Sequence, residues 1–224
     1  VSELKSTELY SVFLDKDKLK IRKDDDVEIN TLIDLKSIPD KIYPKVNVID
    51  VAKVDVPKEA FSAVEISFSG DKVAISTYKG EDSYIGVVDV EDAQETAAKE
   101  GEDEGGKEDE KNDDKTLGKK ITSLDVLNGC KISSLNFSDD DGYVVVNYVK
   151  GNGTRFKVYQ SGGSIVSLEL DDIFAEEEYN LIYERIQDNN IIMNVTPIIK
   201  SNNTESGLIG RYKISLKDFK LEKL

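Results

Sequence analysis

The chain has 224 residues, a formal net charge of −15, one cysteine and no histidine. The absence of histidine excludes Ser-His-Asp and Cys-His catalysis as well as histidine-ligated metals, and the single cysteine excludes an intramolecular disulfide framework. The strongly acidic charge argues against free nucleic acid and anionic membrane surfaces as partners. No apolar run approaches the roughly 20 residues that a membrane-spanning helix needs, so we expect no membrane insertion.

The first predicted unit covers about residues 8–51. It opens with YSVFLDKDKLKIRK, in which two apolar strands flank a turn that contains Asp. Asp, Asn and Gly at such turns favour tight hairpins. A third strand, VEINTLIDL, and a fourth, VNVIDV from Val46, follow. For the fourth strand of the last unit the sequence offers FKLEKL from Phe219 or, alternatively, the N-terminal VSELKS.

The second predicted unit covers residues 60–126 and contains a long acidic insertion. Its strands lie in VEISFSGDKVAISTYKG, SYIGVVDV and ITSLDV. The insertion, 91–116, has no Val, Ile, Leu, Met or aromatic residue. It cannot bury enough apolar surface to offset the entropy of ordering, so we expect it to be disordered. A second interpretation is an acidic lure for a basic partner.

The third and fourth predicted units cover residues 130–170 and 178–224. They contain the hairpins ISSLNFSDDDGYVVVNYVKG and LIYERIQDNNIIMNV, each followed by a third strand. Units of four short strands that recur at roughly 40–50 residues, once the acidic insertion is removed, are typical of β-propeller blades.

We therefore predict an all-β fold, a single propeller-like domain over residues 1–224 with about four four-stranded antiparallel blades. The blades either close by themselves or belong to a larger propeller. A β-sandwich or barrel, and two small domains, are the alternatives.

Two segments resemble known propeller families. FSGDKVAISTYKGEDSYIGVVDV resembles the blades of TolB-type propellers, and KISSLNFSDDDGYVVVNYVKGNGTRFKVYQSGGSIVSLEL resembles WD-repeat blades in its order of strands. The Trp-Asp and Gly-His pairs of WD repeats are missing, and Gly70 and Asp139 stand where TolB-type blades have proline. The resemblance therefore implies propeller architecture and assigns no family within it.

Four cations form the predicted binding site. Lys79, Lys150 and Lys200 fall at equivalent strand ends of successive units, and Arg155 lies close to Lys150 in sequence. The loops that follow these strands share one rim in a propeller. The sequence therefore predicts a positive surface on an otherwise negative protein, with plain charge decoration of strand ends as the alternative.

No catalytic or metal site is predicted. The run Asp139-Asp140-Asp141-Gly142 does not have the spacing of a calcium-binding EF-hand loop, and we interpret it as a polar hairpin turn. Cys130 is interpreted as a small, partly buried hydrophobe and not as a nucleophile, because the chain has no histidine to activate it.

These patterns favour a non-enzymatic protein–protein interaction scaffold without cofactors, a subunit of a larger assembly in the cytoplasm or nucleus. Its partners are expected to be proteins, including one that would complete the propeller. The alternative is a secreted or cell-surface propeller that binds a ligand or substrate. Both expectations rest on fold-level analogy, because loops on a rigid scaffold carry recognition residues.

Overall fold

The structure, a computed structural model, describes residues 2–7, 9–24, 27–45, 52–90, 118–166, 168–199 and 206–224. The predicted acidic insertion, the predicted strand from Val46 and Lys200 lie outside these residues. Within the described ranges, the chain contains no helix with the length and apolar character needed to cross a bilayer.

The first of four sheets, sheet I, comes from the N-terminal part of the chain. Its strands, in spatial and chain order, are β1 (Ser2–Ser6), β2 (Tyr10–Asp15), β3 (Lys18–Lys23) and β4 (Asn30–Asp34). A 3-10 turn at Leu35–Ser37 and a two-stranded hairpin, β5 (Lys41–Ile42) and β6 (Val54–Asp55), follow sheet I.

Sheets II, III and IV repeat the same antiparallel order. Sheet II contains β7 (Ala60–Ile66), β8 (Lys72–Lys79), β9 (Asp82–Val90) and β10 (Gly118–Leu127). Sheet III contains β11 (Lys131–Phe137), β12 (Tyr143–Lys150), β13 (Gly153–Gln160) and β14 (Ile165–Val166), and the short helix α1 (Leu170–Ile173) follows it. Sheet IV contains β15 (Tyr179–Gln187), β16 (Asn190–Pro197), β17 (Gly210–Ser215) and β18 (Leu221–Lys223), with a 3-10 turn at Ser206–Leu208.

The predicted fold class, all-β with about four four-stranded antiparallel sheets, is confirmed. The sheets pack face to face in chain order through three apolar cores, one between each successive pair. Sheets II and III bury apolar residues on both faces, because alternate side chains of a strand point to opposite sides. Among the described residues, no strand of sheet I makes an extensive contact with a strand of sheet IV, so a closed ring and membership of a larger propeller both stay predictions.

The N-terminal segment corrects the prediction for the first unit. Of the two candidates for the fourth strand of sheet IV, FKLEKL supplies it as β18, whereas VSELKS forms β1, which pairs with β2. The hairpin predicted to open the first unit is therefore formed by its second and third strands. This strand could not be recognised from the sequence because β1 is polar and mostly exposed. A contact with the next sheet helps to hold it, since the Lys5 ammonium lies 2.8 Å from the Glu65 carboxylate of sheet II.

The outer strand of sheet III also differs from expectation. SIVSLEL was predicted as a full strand, yet among its residues that the structure describes only Ile165 and Val166 pair with β13. Glu169 then takes a left-handed backbone conformation with φ of 51°, and the chain enters α1. Leu170 is buried from that helix rather than from a strand.

The Asp139–Gly142 run is the turn between β11 and β12, and it also joins two sheets. The Asp141 carboxylate accepts hydrogen bonds from the backbone N–H groups of Phe68 and Ser69, at 2.8 and 3.1 Å. Phe68 and Ser69 belong to the equivalent turn of sheet II. This contact fixes the relative position of sheets II and III at the rim opposite to the predicted binding site.

Candidate interaction rim

Two hairpins bring the predicted lysines to one rim of the molecule. Lys79 ends β8 opposite Asp82 of β9, and Lys150 ends β12 opposite Gly153 of β13. Gly80 and Gly151 occupy the left-handed conformation at the turns, with φ of 60° and 57°. Because a side chain is strained in this conformation, glycine is the residue that suits both tight turns.

The hairpins are held side by side by the chain that connects sheets II and III. The Lys131 ammonium lies 3.3 Å from the Glu81 carboxylate, and the Gly129 N–H donates to the Asp82 carboxylate at 2.8 Å. Lys131 also pairs with Val149 across β11 and β12. The two hairpins therefore form one continuous surface.

Each hairpin exposes an apolar side chain directly before its lysine. Tyr78 is 41% exposed and Val149 is 38% exposed, and both following lysines are exposed. We call Tyr78, Lys79, Val149 and Lys150 the lysine rim. The fully exposed Ile199 precedes Lys200 in the same order, two residues after β16 ends at Pro197.

Lys150 has an acidic neighbour. Its ammonium lies 3.0 Å from the Glu176 carboxylate, and the hydrogen bond from Lys150 to Glu176 raises the pKa of the lysine. Both side chains are substantially exposed, so water screens the pair and its contribution to stability is small.

Arg155 is not an exposed cation of the rim, contrary to the expectation from sequence. Its side chain is 2% exposed. The guanidinium donates to the carbonyl oxygen of Tyr179 at 3.0 Å, to that of Phe174 at 2.9 Å and to the Asp171 carboxylate at 2.6 Å. Arg155 therefore ties sheet III to the segment that leads into sheet IV, and its position in β13 gave no sign of this.

A cleft of about 390 Å³ lies behind the rim, between sheets II and III. Its walls include three lysines and three acids, namely Lys45, Lys150, Lys157, Asp125, Asp171 and Glu176. Asp125 is buried and accepts hydrogen bonds from the Tyr159 hydroxyl at 2.7 Å and the Lys45 N–H at 3.0 Å. These bonds compensate for the burial of its polar oxygens, so we interpret Asp125 as structural.

Cys130 also lines the cleft, but its thiol is buried. Burial raises the pKa of the Cys130 thiol, although Lys150 and Lys157 act in the opposite direction. A thiol is a nucleophile only as the thiolate, and the raised pKa keeps it protonated at neutral pH. Within the described part of the chain, no group of three or more Cys, Asp or Glu residues is placed to hold a metal ion.

Two buried tyrosines, Tyr148 in the cleft wall and Tyr159 bonded to Asp125, predict sensitivity to alkali. Burial raises the pKa of Tyr148 and Tyr159 above the value of about 10 for a solvated tyrosine. The unfolded state therefore ionises first, so their contribution to stability is complete below about pH 10 and falls as the pH rises beyond it. Urea unfolding followed between about pH 9 and pH 11 should show this loss.

A Tyr159→Phe variant separates this effect from the titration of lysines. It should lose less stability over the alkaline range, although it starts about 1–3 kcal/mol less stable because Asp125 loses a hydrogen-bond donor. An identical alkaline loss in the variant and the wild type would contradict the role given to Tyr159.

Four antiparallel four-stranded sheets, packed face to face in chain order, define a propeller-like fold with a hairpin rim. No protein-family model and no curated protein matches the sequence. TolB from Acinetobacter baumannii is similar in structure, with a TM-score of 0.42, 9% identity and coverage of 92% of this chain and 37% of that chain. A structure from an analysis of two prolyl endopeptidases has a TM-score of 0.37 and 10% identity, over 99% of this chain and 34% of that chain.

A putative dipeptidyl aminopeptidase IV from Bacteroides ovatus is also similar, with a TM-score of 0.36, 8% identity and coverage of 96% of this chain and 38% of that chain. All three proteins contain a β-propeller. This chain spans about a third of the length of each of these three proteins.

The structure places Lys79 and Lys150 on one rim, buries Arg155 and does not describe Lys200. Sequence reasoning missed the exposed Tyr78 and Val149, because apolar residues at a strand end normally indicate core. The repeat itself carried a usable signal, since an apolar residue precedes lysine at the ends of β8 and β12 and again shortly after β16.

Proposed function

We propose that this chain is a non-enzymatic protein–protein interaction scaffold, a subunit of a larger assembly. It is built on blades of the WD-repeat or TolB type and acts in the cytoplasm or nucleus. The observation that carries the proposal is the lysine rim, where neighbouring hairpins each expose an apolar side chain beside a lysine. The fold supplies a rigid platform for such residues.

The composition of the rim suits a protein partner. Aromatic residues are enriched in the buried centres of interfaces, and a partly exposed tyrosine adds contact area at a small entropic cost. Lys79 and Lys150 lie on a protein whose net charge is −15, so they provide local attraction for acidic groups that the rest of the surface repels. The partner is therefore expected to present carboxylates or backbone carbonyls around an apolar contact.

The rim is tested by charge reversal in the variant Lys79→Glu with Lys150→Glu. The matched control is Lys217→Glu with Lys220→Glu, which makes the same charge change in the turn between β17 and β18 at the opposite rim. Quantitative mass spectrometry of proteins captured by the wild type, the variant and the control identifies a partner that depends on the rim. We expect that partner to be lost with the rim variant and retained with the control.

Affinity for this partner should then fall by about tenfold or more in the rim variant, mainly through slower association, and the difference should shrink as salt is added. Thermal unfolding should stay within a few degrees of the wild type, because exposed charges contribute little to stability. Equal capture by both variants at low salt would show that this rim is not the interface.

A further inference from the structure

The cleft behind the lysine rim contains a lysine that no acid of the described residues pairs with. Lys157 is half-buried in β13, opposite Val146 of β12, and it lines the cleft. Its ammonium forms no ion pair or hydrogen bond with another residue that the structure describes. Partial burial weakens the screening by water, so an anion in the cleft is attracted more strongly by Lys157 than by a fully solvated lysine.

Two of the three acids in the cleft wall are already paired with cations. The Asp171 carboxylate lies 2.6 Å from the Arg155 guanidinium, and the Glu176 carboxylate lies 3.0 Å from the Lys150 ammonium. The charges of both acids are therefore offset locally, and neither pair includes Lys157.

The third acid, Asp125, is satisfied by hydrogen bonds. Its carboxylate accepts from the Tyr159 hydroxyl at 2.7 Å, from the Lys45 N–H at 3.0 Å and from the Val126 N–H at 2.9 Å. With Arg155 behind the wall, the described residues place four cations at the cleft against three acids, namely Lys45, Lys150, Arg155 and Lys157 against Asp125, Asp171 and Glu176. The cleft therefore carries a net positive charge on a protein whose overall net charge is −15.

Tyr148 places a further hydrogen-bond donor in the cleft. Its hydroxyl has no hydrogen-bond partner within the described part of the chain. Every fully buried side-chain nitrogen and oxygen of the described residues does have a partner, so the Tyr148 hydroxyl and the Lys157 ammonium both reach open space. Burial raises the pKa of Tyr148, so the hydroxyl keeps its proton and can donate it to a hydrogen bond at neutral pH.

Cys130 shows that two ammonium groups converge on one part of the cleft. Burial raises the pKa of the Cys130 thiol, whereas Lys150 and Lys157 both act in the opposite direction, which requires both lysines to lie near the thiol. The floor around the thiol is apolar, with Val126 and Leu127 buried. An ammonium and a hydroxyl that lack acceptors among the described residues suit a carboxylate, whose two oxygens accept hydrogen bonds and carry the opposite charge.

We propose that the cleft binds the carboxylate of an aspartate or glutamate side chain from the protein partner, with Lys157 and the Tyr148 hydroxyl as its donors. This inference rests on the proposed function, because the lysine rim and the cleft share Lys150 and a segment bound at the rim would pass the mouth of the cleft. Lys79 belongs to the rim and not to the cleft wall, whereas Lys157 belongs to the wall and not to the rim. The two surfaces can therefore be tested separately.

The probe is a capped tripeptide, acetyl-alanine–glutamate–alanine amide, added to the whole protein. Its control has glutamine in place of glutamate, which keeps the shape and removes the charge. We expect the glutamate peptide to shift the backbone amide signals of Lys157 and Cys130 in NMR spectra, with saturation in a roughly millimolar range for one charge-assisted contact. The glutamine peptide should bind at least about fivefold more weakly.

Substitution of Lys157 identifies the donor. Lys157→Gln should weaken binding of the glutamate peptide at least roughly fivefold, whereas Lys157→Arg keeps the charge and should bind within about twofold of the wild type. Lys79→Glu, outside the cleft wall, should change peptide binding little. All three variants should unfold at the temperature of the wild type, because Lys79 is exposed and Lys157 forms no ion pair with a described residue. Equal binding of the two peptides, or unchanged binding by Lys157→Gln, would overturn the proposal.

The partner captured by the wild type separates this inference from the proposed function. Lys79→Glu and Lys157→Gln should each weaken binding of that partner when the rim and the cleft are both used. A loss with Lys79→Glu alone would retain the rim and overturn the cleft. A loss with Lys157→Gln alone would retain the cleft and overturn the rim.

Discussion

Replacing Val145 by Asp is expected to unfold the protein. Val145 is 0% exposed, at the centre of β12, and belongs to the core between sheets III and IV. It pairs with Val158 of β13, so its surroundings on that side are apolar. A carboxylate there would be buried without a partner, at a cost of several kcal/mol against a total stability of about 5–15 kcal/mol.

Val149→Asp is the matched control, because it makes the same change four residues later in the same strand. Val149 is partly exposed, so the new carboxylate stays hydrated, and we expect a loss of about 1 kcal/mol or less. Circular dichroism and urea unfolding distinguish the two variants. A soluble Val145→Asp protein with unchanged unfolding would show that β12 does not have its side chains buried as described.

Arg155→Leu is expected to be the second most damaging substitution. The guanidinium is the shared donor for the carbonyl oxygens of Tyr179 and Phe174 and for the Asp171 carboxylate. Leucine removes all three hydrogen bonds and leaves the two carbonyls without this donor. Breaking a buried, hydrogen-bonded charge costs about 3–5 kcal/mol, so urea unfolding should show a loss of that size.

Lys157→Leu provides the control for Arg155, since Lys157 lies two residues further along β13 with a half-buried side chain at the cleft wall. Its stability should change by no more than about 0.5 kcal/mol. If Arg155→Leu unfolded at the same urea concentration as the wild type, the guanidinium would not be the link between sheet III and the segment before sheet IV.

Because Arg155 is buried, it is not a suitable residue for a charge-reversal test of the rim. Reversal of Arg155 together with Lys150 would combine a loss of binding with a loss of folding, because Arg155 belongs to the packed interior. Reversing Lys79 together with Lys150 makes a charge change of the same size, and both of these side chains lie at the surface. A scaffold must keep its hairpins in fixed positions, so Arg155 supports the rim indirectly by holding sheet III in place.

The hairpins could be predicted from the sequence because they are local. In β8 and β12 the apolar strand positions, the polar turn and the glycine that follows lie within a few residues of one another. Such patterns specify pairing without reference to the rest of the chain. Their recurrence was sufficient to indicate the all-β class and the four-stranded units.

Other features depended on contacts that are distant in sequence. β1 is a strand because β2 lies beside it and Lys5 meets Glu65 of the next sheet, although its own residues are polar. Arg155 is buried because the chain after α1 folds over it and offers carbonyl oxygens, which no property of β13 reveals.

The sequence by itself thus determined most of the strands, their tight turns and the lysines that end β8 and β12, because period-two alternation and turn chemistry act over a few residues. Only the tertiary structure decided which cation stays at the surface and which is buried, and where the outer strand of sheet III stops. Burial depends on which segments meet in space, and the packing between sheets III and IV brought the Tyr179 carbonyl to Arg155 while leaving Lys150 in solvent.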